Sequence, residues 1–308
     1  MLFHEGAPVR NLNAIGLGLM VGTLAGIPCA MAGPNDITLQ RFVTMDSTTN
    51  PSGFEIRLAS GNEQGFRDLA RDIGLIMSPR LAANAETLGI SGFSVQLDQS
   101  VSLVDNSAEY WRLGAADGDA SGSLQTSTLH VRKGLPFSLE LGGTVTKMWG
   151  SELMGVGTEL RWAPLEDFFW PVPDIALRGY VGTVLGDPQL NMILPGWDIV
   201  VGVPIGVGGV MNISPFAGYN MSVIIASSRL IDGEPTNPQS AFELRPSNTT
   251  PGGTLINYQP EVLFDEQSTV VSQGLFGVRL EFTILNVIFQ GTISSAVQSY
   301  TTTLGFNF

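Results

Sequence analysis

The chain has 308 residues, of which 44% are hydrophobic and only 14% are charged, against roughly 25% charged residues in typical soluble domains. Its 37 glycines and mean hydropathy of +0.20 exclude a disordered chain and a coiled coil. The formal net charge of -13 excludes a general nucleic-acid binder, because such a protein needs basic surface to neutralise phosphates.

The first 32 residues have the pattern of a secretory signal peptide. An uncharged stretch over 14–27 is followed by Pro28 and by a small-x-small cleavage site at Ala30-Met31-Ala32. An uncleaved membrane anchor and a lipid-anchored chain attached through Cys29 are the alternatives. Cys29 is the only cysteine, so cleavage after Ala32 would leave a mature chain without thiols or disulfides.

Residues 33–87 form the next segment, and they predict one helix. Its apolar residues recur at helical spacing on one face, and Pro79 ends it; they are Phe66, Leu69, Ala70, Ile73, Ile76 and Met77. Residues 37–45 and 54–58 have the pattern of short strands.

From residue 88 onward the hydrophobic pattern has a period of two. Between Phe93 and Leu103 the apolar residues fall on one face and the polar residues on the other, as in a strand with one apolar side. Such segments run about ten residues, which suits a tilted membrane-spanning strand of ~9–11 residues better than the mean soluble strand of ~5–6. The pattern predicts ten strands, at about 90–104, 122–133, 136–149, 152–163, 174–186, 190–204, 208–226, 267–283, 287–294 and 297–308.

The final strand carries the strongest local signal. Tyr300, Leu304, Phe306 and Phe308 share one face, and Phe308 is the last residue. In its signal peptide, its strand periodicity and this ending, the sequence resembles bacterial outer-membrane β-barrel proteins. That group typically ends in an aromatic-terminated strand read by the outer-membrane barrel assembly machinery, so the resemblance implies that these four residues form an assembly signal. It implies an architecture and no particular activity.

The connections agree with a barrel. Two long connections, 105–121 and 227–266, both fall on the outward side when the strands are counted from a periplasmic start, as in outer-membrane barrels. Aromatic residues lie near predicted strand ends or in connections, where their rings suit the membrane headgroup zone; they are Trp149, Trp162, Phe168, Phe169, Trp170, Trp197 and Tyr300.

In such a barrel the polar face of each strand lines the lumen. The candidate lumen residues are Asp98, His130, Glu140, Glu159, Arg161, Arg178, Asp198, Arg279 and Glu281. A lining with both signs of charge has two interpretations: a pore that selects solutes, or a paired network that fills and stiffens a narrow barrel.

Catalytic and metal-binding patterns are weak. His130 is the only histidine outside the predicted signal peptide and has no acid near it in sequence, so we expect no catalytic residue. The sequence has no cysteine or histidine cluster of the kind that binds metal, and we expect no metal and no cofactor.

These observations predict an all-β protein: a closed antiparallel transmembrane β-barrel of about ten strands, or twelve if 37–45 and 54–58 join the wall. The predicted divisions are a signal peptide (1–32), a segment with one helix that either plugs the barrel or lies on its periplasmic side (33–87), and the barrel (88–308). We expect a non-enzymatic protein of the bacterial outer membrane whose partners are outer-membrane lipid and the assembly machinery. The expected function is a passive conduit for small polar or amphipathic solutes; the alternative is a sealed barrel that acts through outer loops 105–121 and 227–266.

Overall fold

A computed structural model of the chain describes residues 33–49, 55–116, 118, 121–166, 173–232, 245–247, 254–259 and 261–308. The predicted signal peptide with Cys29 lies outside these residues, as do Phe168, Phe169 and Trp170. Within the described residues, no helix is long and apolar enough to cross a membrane.

Ten long strands form a closed antiparallel barrel, which confirms the predicted fold. They are β1 (Phe93–Leu103), β2 (Ser123–Leu135), β3 (Leu139–Met148), β4 (Met154–Trp162), β5 (Asp174–Leu185), β6 (Leu190–Gly202), β7 (Met211–Ser228), β8 (Gln267–Phe282), β9 (Leu285–Ile293) and β10 (Gln298–Asn307). Each strand pairs with the one that follows it in the chain, and β10 pairs with β1 to close the ring. The period-two pattern located these strands to within a few residues, because successive side chains of a strand point to opposite faces.

The two faces of the wall differ sharply in polarity. Leu97 is 55% exposed whereas the next residue, Asp98, is fully buried, because successive side chains point to opposite faces of a strand. The exposed apolar side chains on the outer face include Leu141, Leu160, Ile193, Phe289 and Leu304. An apolar exterior around a polar interior is the arrangement of a membrane-spanning barrel.

The two ends of the barrel also differ. The connections β1–β2, β3–β4, β5–β6, β7–β8 and β9–β10 join the strands at one end, which we call the long-loop end. The connections β2–β3, β4–β5, β6–β7 and β8–β9 join them at the other, the short-turn end, where Phe93 and Phe308 also lie; none of these is as long as β1–β2 or β7–β8. Residues Ile205–Val207 pair with the start of β7 to form a hairpin there.

The twelve-strand alternative is wrong. Val43–Thr49 and Glu55–Gly61 form a hairpin outside the wall, and Thr254–Gln259 extends it by pairing in parallel with Glu55–Gly61. Arg245–Ser247 completes this four-stranded sheet. The connection between β7 and β8 therefore carries regular structure, and a further pairing joins Ile231–Asp232 to Glu261–Val262.

Within the described residues, three helical elements lie at the long-loop end. They are a 3-10 turn (Gln40–Phe42), α1 (Glu63–Met77) and α2 (Glu109–Gly114). The helix predicted from the apolar stripe is α1; the side chain of Asn62 caps it by accepting a hydrogen bond from the Gly65 amide at 2.9 Å.

The apolar face of α1 is buried inside the barrel mouth at the long-loop end. Phe66 stacks on Phe264 with ring centroids 4.9 Å apart, and Gly74 lies directly against Ile224 of β7. Leu69 packs over Gly114 of α2. The largest hydrophobic core of the described chain thus surrounds α1 at this mouth.

Candidate functional site: a strap through the lumen

The polypeptide that leaves α1 passes through the barrel interior. We call residues 78–88 the strap. Pro79 lies against Gly157 and Gly182, midway along β4 and β5, whereas Ala85 lies against Gly202 at the short-turn end of β6. The strap therefore descends from the long-loop end to the short-turn end, where the chain turns and enters β1.

Wall arginines hold the main chain of the strap. Arg178 of β5 donates hydrogen bonds to the carbonyls of Arg80 at 2.7 Å and Pro79 at 3.2 Å. Arg132 of β2 donates to the Ala82 carbonyl at 2.8 Å. The strap has no regular secondary structure, so these contacts supply hydrogen-bond partners that its main-chain carbonyls would otherwise lack.

A third arginine continues this pattern toward the short-turn end. Arg161 of β4 donates to the carbonyls of Asn84 and Glu86, the latter at 2.6 Å. At the same level Glu140 of β3 accepts the Leu88 amide at 2.8 Å. The wall thus offers donors to strap carbonyls and, further down, an acceptor to a strap amide.

Buried carboxylates fix the arginines in turn. Glu159 bridges Arg132, at 2.7 Å, and Arg178, at 2.6 Å. Asp198 pairs with Arg178 at 2.6 Å, and Glu140 pairs with Arg161 at 2.9 Å. These side chains are all buried, so each charge depends on its partners.

The side chains of the strap make a smaller set of polar contacts. Arg279 of β8 donates to Asn84 Oδ1 at 3.1 Å and pairs with Glu86 at 3.0 Å and Glu281 at 2.6 Å. Arg80 donates to Ser102 Oγ at 3.1 Å.

A second polar cluster lines β1 and β2. His130 Nε2 lies 2.7 Å from Asp98 Oδ2, and neither side chain is exposed. Hydroxyl pairs line this part of the wall; Ser100 and Thr301, for example, are 2.8 Å apart.

A small cavity lies beside the strap. It has a volume of about 20 Å³ among Ser78, Arg80, Tyr180 and Asn220, which is room for about one water molecule.

At the long-loop end a buried carboxylate joins α1 to α2. Asp72 accepts hydrogen bonds from Tyr110 Oη and Trp111 Nε1, both at 3.0 Å, and from Arg71 Nε at 2.8 Å. Burial raises the pKa of the Asp72 carboxyl above its ordinary value, and burial together with the nearby Asp72 charge raises the pKa of Tyr110 to about 12.

The structure places every sequence-predicted lumen residue on the inner face of the wall, and Glu281 is the most exposed of them. Sequence reasoning missed Arg132, although it shares its face with His130 two positions earlier. It also missed Arg80 and Glu86, which lie in the strap. Trp197 lies in the middle of β6 rather than near a strand end, and the terminal side chains Tyr300, Leu304, Phe306 and Phe308 are exposed on the outer face.

The arrangement offers no metal centre within the described residues, where no three His, Cys, Asp or Glu side chains come close enough to hold an ion. What it does offer is a polar lumen filled by a segment of the same chain.

No family model and no curated protein sequence matches the chain. Among solved structures it is similar to the attachment invasion locus protein Ail of Yersinia pestis (11% identity, TM-score 0.25, covering 71% of this chain and 99% of Ail). It is also similar to the KdgM porin solved with a disordered oligogalacturonate (7%, 0.30, 70% and 99%). A third is the translocator domain of the autotransporter NalP of Neisseria meningitidis (8%, 0.37, 80% and 99%). The likeness concerns barrel architecture alone.

Proposed function

We propose that this protein is a bacterial outer-membrane barrel that conducts small polar or amphipathic solutes and is gated by its strap. The observation that carries the proposal is the way the strap is held. Arginine side chains bind its carbonyls within a lumen lined by charges and hydroxyls, and water can replace such bonds when the strap leaves. A polar lining of this kind suits a solute path.

The lengths of the connections at the two ends of the barrel give its proposed orientation in the membrane. Outer-membrane barrels have longer loops outside and shorter turns on the periplasmic side. The long-loop end then faces the cell exterior, and the segment before the strap lies on the outer side. Lipid covers the apolar wall, and the exposed terminal aromatic side chains, Phe308 among them, are available to the assembly machinery.

The proposal includes no enzymatic activity and no cofactor. The Asp98–His130 pair is the one arrangement that resembles a catalytic dyad among the described residues. Both side chains are fully buried, which supports a structural role for the pair.

A disulfide between the strap and the wall tests the gate. A Cβ atom at Gly202 would lie 3.3 Å from Ala85 Cβ, close to the about 3.5–4.5 Å found in disulfides. We therefore expect Ala85→Cys/Gly202→Cys, in the full chain with Cys29→Ala, to be silent in a planar lipid bilayer when oxidised and to show conductance steps when reduced. The matched control is Gly202→Cys alone, which should not respond to oxidant. Silence of the reduced variant and of the wild type would contradict the conduit.

A sealed barrel that acts at the cell surface is the second candidate. Its supporting observation is the four-stranded sheet at the long-loop end, which joins Val43–Thr49 and Glu55–Gly61 to strands of the β7–β8 connection. Silent bilayers would favour it.

A further inference from the structure

We propose that the lumen wall is a binding site for a single non-helical polypeptide strand that carries small side chains at the levels of Pro79 and Ala85 and is recognised mainly through its main chain. The strap is then the resident ligand, and a peptide supplied in trans can take its place once the strap has left the lumen. This inference rests on the proposed function in one respect, namely that the strap can be displaced.

Most polar contacts between the strap and the barrel involve main-chain atoms of the strap. Between residues 79 and 86 the carbonyls of 79, 80, 82, 84 and 86 accept hydrogen bonds from Arg132, Arg161 or Arg178. The amides of 87 and 88 donate to Glu166 and Glu140. Carbonyls and amides are common to all sequences, so these contacts do not depend on which side chains the strand carries.

The donors are held in position independently of the strap. Arg178 is fixed by Glu159 and Asp198, and Arg161 by Glu140, all within the wall. A guanidinium anchored in this way loses little freedom when it binds a carbonyl, which favours binding by preorganisation.

The narrow space between the strap and the wall restricts which side chains the bound strand can carry. Cβ atoms at Gly157 and Gly182 would lie 2.6 and 3.0 Å from ring carbons of Pro79, and Ala85 is in similar contact with Gly202. Ala82 and Ala83 are also buried. The wall therefore accepts alanine, serine or proline at these levels and excludes bulky residues.

The experiment uses a strap that no longer fits. Ala85 is fully buried, so Ala85→Phe in the full chain should expel the strap at the level of Gly202 and leave the wall free. The probe is a fluorescein-labelled peptide with the sequence of residues 78–88, and its anisotropy is measured with the barrel in detergent. Folding of each variant is checked by its shift on gels with and without boiling; Pro79→Trp, which overfills the space at Gly157, serves if Ala85→Phe does not fold.

We expect the peptide to bind the variant but neither the wild type nor the oxidised Ala85→Cys/Gly202→Cys form. A peptide whose Arg80 and Asn84 equivalents are alanine should still bind, because main-chain contacts dominate. A peptide with phenylalanine in place of Pro79 and Ala85 should bind at least about tenfold more weakly.

Two results would overturn the inference: no peptide binding by a folded variant, or equal binding of the bulky peptide. Binding does not require conduction, so the two proposals fail separately. Peptide binding by a barrel that is silent in bilayers would contradict the conduit alone, and conductance without peptide binding would contradict this inference alone.

Discussion

Replacing Arg178 with Met removes the residue on which the lumen network converges. Arg178 donates to Asp198 through Nε at 2.8 Å and Nη2 at 2.6 Å, to Glu159, and to two strap carbonyls. Glu159 keeps Arg132, but Asp198 loses the only ion pair it makes among the described residues. Leaving one buried charge uncompensated costs about 3–5 kcal/mol, so we expect Arg178→Met to lower the free energy of unfolding by about that amount.

The assay is urea unfolding in detergent micelles, followed by tryptophan fluorescence and by gel mobility without boiling. The matched control is Arg178→Met/Asp198→Asn, which removes both charges and should recover most of the lost stability, because a buried ion pair replaced as a whole is often nearly neutral. If Arg178→Met unfolds at the wild-type urea concentration, or if the double variant is no more stable than the single one, the assignment of Arg178 as the centre of the network is refuted.

Three further predictions concern the ends of the molecule. Deleting Phe308 should lower the amount of folded barrel in the outer-membrane fraction, because it removes the proposed sorting residue and the paired backbone hydrogen bonds with Phe93 at 2.8 and 2.9 Å; normal levels on unboiled gels would contradict this. Burial raises the pKa of the Asp72 carboxyl in the folded protein. The stability that this shift provides is therefore complete below the pKa of about 3.9 in the unfolded chain, and it is lost as the pH rises through the folded pKa. In urea unfolding, the stability of the wild type relative to Asp72→Asn should therefore increase as the pH falls from about 7 to about 4. A difference that stays constant over this range would contradict a raised Asp72 pKa. In a Cys29→Ala background, an impermeant maleimide should label Ser60→Cys on intact cells but Val210→Cys only after permeabilisation; the reverse result would invert the orientation.

The strands of the wall were predictable because successive side chains of a strand point to opposite faces, so that an apolar and a polar face appear in the sequence as a period of two. The same alternation that marks Leu97 as outward marks Asp98 as inward, and it applies equally to His130 and Arg132. Which inward charges pair is not local information. Arg178 and Asp198 are brought opposite each other by the register of β5 and β6, which depends on the turn between them.

The strap could not be predicted as a ligand of the wall. Its sequence, SPRLAANAETL, has neither a period of two nor a helical stripe, and its structure comes from contacts with residues far along the chain. The stripe on α1 predicted a helix correctly, but an apolar face does not say which surface covers it. The four-stranded sheet at the long-loop end depends on pairing between Glu55–Gly61 and Thr254–Gln259, which lie too far apart in sequence for a local pattern to predict it.

The strap runs through the barrel, which is closed where β10 meets β1, and the four-stranded sheet lies beyond the long-loop end of the strap. That sheet joins Glu55–Gly61 to Thr254–Gln259. A pull on the strap toward the short-turn end would be resisted by this sheet and by α1 before the wall itself was strained.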